Sequence, residues 1–332
     1  MTESVPAAAR SRWLTAGGWG RLFREQPVIP LIGLLALLVI ASQLTRPGLV
    51  NVNWASVILR SSVPLAILAG AQTLTMLTGG IDLSVGSVAS MAGFVTATFV
   101  NSPEGFLFGI LVAFVAAALA GLVTGIGVGV FRVHPLIMTL GMSFVVLGLA
   151  NVWQLQTVQT SSGVPEALRT LGSGTFLTII PNSLLVFVPV ALLIVLGLKR
   201  TGFGRLLYAV GDNPTAVRLS GARSWQVLIA LYVLSALLAA IAGLVLGGLT
   251  NTASVTLADT SVLPSVAAAV IGGTSILGGR GGYGGTMIGA LILTVTSSLL
   301  SSLGSPEAVR QVLFGAIIVA VAAAYTRVTS EA

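Results

Sequence analysis

The chain has no cysteine, one histidine and one lysine, and only 8% of its 332 residues are charged. The absence of cysteine excludes a disulfide framework, a thiolate metal site and a cysteine nucleophile. No His-Glu-x-x-His motif occurs. Because the single lysine, Lys199, is followed by Arg200, the chain also lacks the phosphate-binding loop Gly-x-x-x-x-Gly-Lys-Ser/Thr. We therefore expect no catalytic residue, no metal site and no cofactor in this chain.

Apolar residues take the place of the missing charges, at 55% of the sequence and a mean hydropathy of +1.02. Such a chain cannot present a charged, water-facing surface over a globular core, so its apolar surface must face lipid. The net charge of +7 comes from basic residues scattered singly between apolar runs. That pattern favours membrane orientation over nucleic acid binding. The sequence predicts an all-α integral membrane protein with about ten transmembrane helices.

The predicted helices follow the apolar runs, most of which approach the roughly 20 residues that cross a bilayer. The first run ends in Arg-Pro-Gly rather than in a small-residue cleavage site, so we expect a retained helix, with a cleaved signal peptide as the alternative. The chain then divides into an N-terminal cytoplasmic segment (1–27), a transmembrane domain (28–326) and a cytoplasmic tail (327–332). The helices are placed near 28–45, 55–78, 84–100, 105–131, 135–153, 182–198, 225–249, 261–277, 284–303 and 308–326.

The basic residues predict the orientation of these helices. With a cytoplasmic N-terminus, twelve basic residues fall inside and four outside, which is the bias of the positive-inside rule and supports two cytoplasmic termini. Two connections are long, an outer one near 154–181 and an inner one near 199–224. The inner residues are Arg10, Arg12, Arg21, Arg24, Arg132, Lys199, Arg200, Arg205, Arg218, Arg223, Arg280 and Arg327, and the outer ones are Arg46, Arg60, Arg169 and Arg310.

Paired glycines and a carboxylate interrupt the apolar sequence at residues 79–84, which read Gly-Gly-Ile-Asp-Leu-Ser. In one interpretation Asp82 caps the following helix through the amides near Ser84 and Val85. In another, the interruption is a broken helix that lines a path or gate, because irregular backbone at membrane depth is tolerated only against protein or water. The two interpretations are compatible, and both stay open.

A mildly polar stripe leads into this interruption, since Gln72, Thr75, Met76 and Gly79 share one helix face. It suits a pore wall or hydrogen bonding between helices. A second glycine-dense stretch, 271–285, lies between apolar runs on the predicted inner side. The candidate path or gate residues are Gln72, Thr75, Gly79, Gly80, Asp82, Ser84, Gly272 and Gly273.

Other glycines recur four residues apart within predicted helices. This spacing lets helix backbones approach closely, which matters because lipid supplies no hydrophobic drive for association. We interpret these residues as packing positions rather than as a site. They are Gly121, Gly125 and Gly129, then Gly243 and Gly247, then Gly285 and Gly289.

The long inner connection contains a short predicted helix with capping signals at both ends. Asn213 is a good N-cap, Pro214 suits the first helical position, and Gly221 suits the position after the helix, which frames about two turns. With Arg205 and Arg218 nearby, the segment has a mixed apolar and basic surface. Such a surface suits docking in the groove of a partner or resting on anionic headgroups.

Three segments together resemble the ribose-type ABC permease family in order and spacing: 79–86 (GGIDLSVG), 204–221 (GRLLYAVGDNPTAVRLSG) and 271–279 (IGGTSILGG). The resemblance covers nearly the whole chain. It implies the membrane-spanning permease subunit of an importer for a monosaccharide or small polyol, multi-pass in a bacterial inner membrane and in contact with membrane lipid. It further implies a second permease copy in a homodimer or heterodimer, a cytoplasmic ATPase that uses ATP and Mg, and a periplasmic or lipid-anchored sugar-binding protein.

The cytoplasmic coupling segment of the family, carried over by position, falls on the capped helix of the inner connection. Many relatives carry Asn followed by a residue other than proline, where this chain has Asp212, Asn213 and Pro214. The residues expected to contact the ATPase are Gly211, Asp212, Asn213, Pro214, Ala216, Arg218 and Gly221.

The main alternative function is a secondary transporter or channel for a small polar solute, with Asp82 as the coupling acid. Secondary transporters place ionisable residues inside the bundle, whereas most charges here fall near predicted helix ends or in loops. A membrane enzyme is a weaker alternative, because His134 precedes Pro135 at a helix start and is interpreted as an interfacial residue. The sequence does not distinguish which sugar or polyol is carried.

Overall fold

The computed structural model describes residues 28–99, 103–157, 163–176, 179–316 and 319. The predicted terminal segments 1–27 and 327–332 lie outside these residues, as do residues 317, 318 and 320–326 of the tenth predicted helix. The described residues form an all-α fold with one short hairpin, which confirms the predicted class. The helices are α1 (Val28–Thr45), α2 (Val52–Met76), α3 (Val85–Thr98), α4 (Pro103–Gly129), α5 (Pro135–Thr157), α6 (Glu166–Ser173), α7 (Leu184–Arg200), α8 (Gly202–Asp212), α9 (Pro214–Leu219), α10 (Ser224–Thr250), α11 (Val262–Ile271), α12 (Tyr283–Ser302) and α13 (307–316).

The part of the chain that the structure describes contains fewer full-length spans than the sequence predicts for the whole chain. Among the described residues, α1, α2, α4, α5, α10 and α12 are long and apolar enough to cross a membrane. A seventh span arises if α7 and α8, which meet at a bend of 69°, count as one. Two predicted spans, α3 and α11, have only 14 and 10 residues, fewer than the roughly 20 that cross a bilayer core as one straight helix. The predicted helix 261–277 is wrong from residue 272 onward, because residues 272–282 form an irregular loop.

The shortness of α3 follows from its position in the bundle. Residues 85–97 are all buried, with α10, α4 and α5 packed around them. A helix enclosed by protein is not required to match the thickness of the hydrocarbon layer on its own. The short apolar run at 85–98 is therefore a core helix rather than a lipid-facing span.

Helix α10 is the central element, and glycines bring α4 directly against it. A Cβ added at Gly125 would lie 2.6 Å from the Cα of Ile229, and one at Gly129 would lie 2.9 Å from the carbonyl oxygen of Trp225. On the other side, a Cβ at Gly243 would overlap the carbonyl oxygen of Ala89 in α3. The prediction that glycines spaced by four residues mediate helix packing is confirmed at these positions.

The outer surface of the bundle carries large apolar side chains. Leu37 of α1, Phe144 of α5 and Leu185 of α7 are 62%, 68% and 70% exposed. Such side chains are stable in contact with lipid tails and would be unfavourable in water. The structure is therefore that of a multi-pass membrane protein.

The long outer connection is more ordered than the sequence indicates. It contains α6 and a hairpin in which β1 (Thr175–Phe176) pairs antiparallel with β2 (Ile180–Pro181). The guanidinium of Arg60 donates a 2.7 Å hydrogen bond to the carbonyl oxygen of Ser173, and α6 packs on the end of α10. These contacts fix the connection against the bundle.

Candidate functional site

The irregular segments predicted for the inner side meet at one end of the bundle. They are the interruption between α2 and α3, the loop between α11 and α12, and the connection that contains α8 and α9. Each carries one of the three motifs named above, although they are far apart in the sequence. The candidate functional site is therefore a junction of three backbone segments.

The interruption after α2 is held by the side-chain amide of Gln72. Its Nε2 donates to the carbonyl oxygen of Asp82 at 2.7 Å, and its Oε1 accepts from the amide of Asp82 at 3.2 Å. Gly79 has a φ of +78°, which favours glycine, and allows the chain to turn back. A fully buried glutamine thus replaces the backbone hydrogen bonds that the broken helix lacks.

The Asp82 carboxylate is 2% exposed and fully engaged. Its Oδ1 accepts from the amide of Ser84 at 3.0 Å and from the Ser84 hydroxyl at 2.6 Å, while its Oδ2 accepts from the hydroxyl of Ser235 at 2.7 Å. The N-cap position of α3 is Ser84 rather than Asp82. The capping interpretation is therefore corrected in part: Asp82 binds the amide of Ser84, and its second oxygen ties α3 to α10 instead of binding Val85.

Two further side chains close around this turn. Thr139 of α5 accepts from the amide of Leu83 at 3.1 Å and donates to the carbonyl oxygen of Ile81 at 3.1 Å. The hydroxyl of Tyr232 in α10 is buried without a hydrogen-bond partner among the described residues, and a Cβ at Gly80 would lie 2.8 Å from it. The sequence analysis did not identify Thr139, Tyr232 or Ser235, although Ser235 is a polar residue within the apolar interior of α10.

The three segments touch at Leu77, Gly211 and Gly279. The amide of Gly279 donates a 2.9 Å hydrogen bond to the carbonyl oxygen of Leu77. A Cβ at Gly211 would overlap that same oxygen and would lie 2.5 Å from the amide of Gly279. The end of α8 therefore packs directly on this backbone bond, with no side chain in between.

A second contact reinforces the junction. The hydroxyl of Tyr208 in α8 donates a 2.9 Å hydrogen bond to the carbonyl oxygen of Gly281. Both residues line a cavity of about 650 Å³, together with the candidate gate residues Gly272 and Gly273 and the basic residue Arg280. The glycine-rich loop thus connects α8 to the helix break and also borders an open space.

The residues at the two ends of α9 have the capping roles that the sequence predicts. The side chain of Asn213 accepts from the amide of Ala216 at 2.9 Å, Pro214 is the first helical residue, and Gly221 has a φ of +82°. The predicted coupling residues nevertheless separate into two groups. Gly211 is packed inside the junction, while the exposed members are Asp212, Asn213, Pro214, Ala216, Arg218 and Gly221.

The predicted path residues also separate. Gln72, Thr75, Asp82 and Ser84 are buried, and their side-chain hydrogen bonds go to other residues of the same chain. Gly272 and Gly273 border the 650 Å³ cavity instead. Their role in transport stays a prediction.

Residues 55–322 match the sequence model of a family described as the branched-chain amino acid transport system permease component. The chain belongs to this family. Within this permease family, it is 36% identical to the ribose import permease protein RbsC of Escherichia coli strain K12, over 82% of this chain and 85% of that protein. It is 32% identical to the fructose import permease protein FrcC of Rhizobium meliloti, over 90% and 84% of the two chains.

A second ribose import permease protein RbsC, from Bacillus subtilis strain 168, is 32% identical over 88% of this permease and 90% of the relative. No solved structure matches the chain. The resemblance to ribose-type ABC permeases that the three motifs indicate is confirmed.

Proposed function

We propose that this chain is the permease subunit of an ATP-binding cassette importer for a monosaccharide or a related small polyol. The family match and the ribose and fructose permeases among its relatives support this function. Sugar rather than amino acid is favoured because the curated relatives above carry sugar names, although the family description names branched-chain amino acids.

The contact among Leu77, Gly211 and Gly279 is the observation that supports coupling of transport to a separate ATPase. An importer driven by a separate ATPase needs a rigid connection from its cytoplasmic surface to its gate. Here α8 ends on the backbone bond that joins the helix break to the glycine-rich loop. A displacement of α8 would therefore move both segments together, without relying on flexible side chains.

We further propose a membrane topology for the chain and the partners that it binds. Ten membrane segments, with α3 and α11 as short inner ones, would place both termini in the cytoplasm of a bacterium and the chain in its inner membrane. The exposed residues of α9 would bind the ATPase, which would use ATP and Mg. A sugar-binding protein would deliver substrate to the other side, and a second permease copy would complete the path as a homodimer or heterodimer.

Substitution of Gly211 tests this function. Gly211→Ala introduces a Cβ that overlaps the carbonyl oxygen of Leu77, whereas Gly202→Ala, in the same helix, meets only the Arg205 guanidinium at 3.8 Å. We expect Gly211→Ala to insert but to lose at least tenfold in sugar uptake and in sugar-stimulated ATP hydrolysis by the complex with its ATPase and binding protein. Gly202→Ala should keep wild-type rates.

The measurement pairs uptake of radiolabelled monosaccharides, including ribose and fructose, with ATP hydrolysis by the purified complex. If Gly211→Ala keeps wild-type sugar uptake and sugar-stimulated ATP hydrolysis, the junction does not couple ATP hydrolysis to transport. Uptake that persists when ATP is depleted and an ion gradient remains would instead support the secondary transporter.

A further inference from the structure

A second cavity, of about 710 Å³, opens at the same end of the bundle as the junction but on another side of α9. It is bordered by the turn after α4, by α9 and by the start of α10. Among the described residues, three arginines line it, Arg132, Arg218 and Arg223, and no acidic side chain does. The cavity therefore has a positive potential that none of its described wall residues offsets.

These arginines have no partner among the residues that the structure describes. Within the described part of the chain, no hydrogen bond or salt bridge involves their side chains, whereas Arg169 and Arg310 each pair with a glutamate. All three are exposed. Three cations facing one cavity repel one another, so a bound anion would stabilise the arrangement.

The backbone of Arg132 gives an independent indication. Its φ is +57°, in the left-handed region where a residue other than glycine is disfavoured by about 1–2 kcal/mol. Glycine or asparagine would satisfy this turn with less strain. The arginine side chain is therefore placed at this turn against the local preference of the backbone, and residues in such conformations cluster at ligand-binding and active sites.

The other residues of the cavity wall are of types found where lipid headgroups meet lipid tails. Val128, Val130 and Leu228 supply apolar surface, and Trp225, 43% exposed, borders the same cavity. Tryptophan is enriched at the membrane interface, and basic pockets between membrane helices bind anionic headgroups. We propose that this cavity binds the phosphate of an anionic phospholipid, with Arg132 and Arg223 as the contacting cations.

The test measures lipid retention by native mass spectrometry. The purified full-length chain in neutral detergent is exposed to dioleoylphosphatidylglycerol or dioleoylphosphatidylcholine. We expect one tightly retained phosphatidylglycerol per chain, and retention about 20- to 30-fold weaker in the double variant Arg132→Gln/Arg223→Gln. Arg200→Gln, an exposed arginine of α7 outside this wall, should bind like wild type.

A second variant separates binding from folding. Arg132→Gly removes the cation and suits the positive φ, so we expect weaker phosphatidylglycerol retention with an unchanged or higher thermal unfolding midpoint. Equal retention of the two lipids, wild-type retention in the double variant, or complete displacement by millimolar inorganic phosphate would overturn the proposal. Loss of ATPase binding in the double variant with unchanged lipid retention would show a protein-docking surface instead.

Discussion

At the scale of single residues, Asp82 joins two helices that the sequence separates widely. Its two oxygens bind Ser84, at the start of α3, and Ser235, in the middle of α10. A buried carboxylate without hydrogen bonds would be strongly unfavourable, so these contacts explain how a charged residue type is tolerated there. Its role in the fold is positional, and any role in gating stays a prediction.

Substitution of Asp82 separates hydrogen bonding from charge. Asp82→Asn keeps one acceptor oxygen for Ser84 and places its amide where the Ser235 hydroxyl can accept, so we expect a loss of stability below about 1 kcal/mol. Asp82→Leu leaves buried donors unsatisfied and should lose about 2–4 kcal/mol. Thermal unfolding in detergent and uptake by cells would measure both. Normal assembly of Asp82→Asn without uptake would show that the charge itself is required.

At the scale of elements, α9 is a short helix whose shape depends on its ends. Six residues form too few internal hydrogen bonds to hold a helix alone, so the Asn213 cap and the turn at Gly221 matter more than in a long span. Val217 is buried, which anchors one side of α9 to the protein. The opposite residues are free for the proposed contact with the ATPase.

Substitution of Gly221 tests this dependence. A Cβ at Gly221 meets no atom within 4 Å, so Gly221→Val acts only through the positive φ and should destabilise the local turn by about 1–2 kcal/mol. We expect insertion to be normal and sugar-stimulated ATP hydrolysis to fall severalfold. Gly221→Asn is the control, because asparagine adopts this conformation more readily and should stay near wild type. Equal activity of both variants would argue against a rigid α9.

At the scale of the whole molecule, the segments expected on the inner side meet at one end of the bundle. The backbone contact of Leu77 with Gly279, and the packing of Gly211 against both, requires their three loops to share a side. The pattern of basic residues predicts that this side faces the cytoplasm. The orientation itself is still a prediction.

The absence of cysteine makes this orientation easy to measure. Single cysteines introduced by Ala167→Cys in α6 and Ser220→Cys after α9 occupy exposed positions. A membrane-impermeant maleimide should label position 167 in intact cells and position 220 only after permeabilisation. Permeabilised cells, in which both positions should react, are the control for accessibility. The reverse labelling pattern would invert the proposed topology.

The sequence by itself determined the features that depend on neighbouring residues. Both ends of α1 and α9 and the start of α5 follow from apolar runs, prolines and caps within a few positions, so local physics was sufficient there. The interruption at 79–84 was visible for the same reason, because paired glycines and a carboxylate break an apolar pattern. The family resemblance added the order of the three motifs.

The tertiary structure alone decided what those segments contact. Apolarity predicts burial or lipid exposure but does not distinguish them, so the sequence did not show that α3 is enclosed by neighbouring helices. No local pattern pairs Asp82 with Ser235 or places Gly211 on the carbonyl oxygen of Leu77. These contacts depend on how closely helices pack, and that distance is set jointly by residues far apart in the chain.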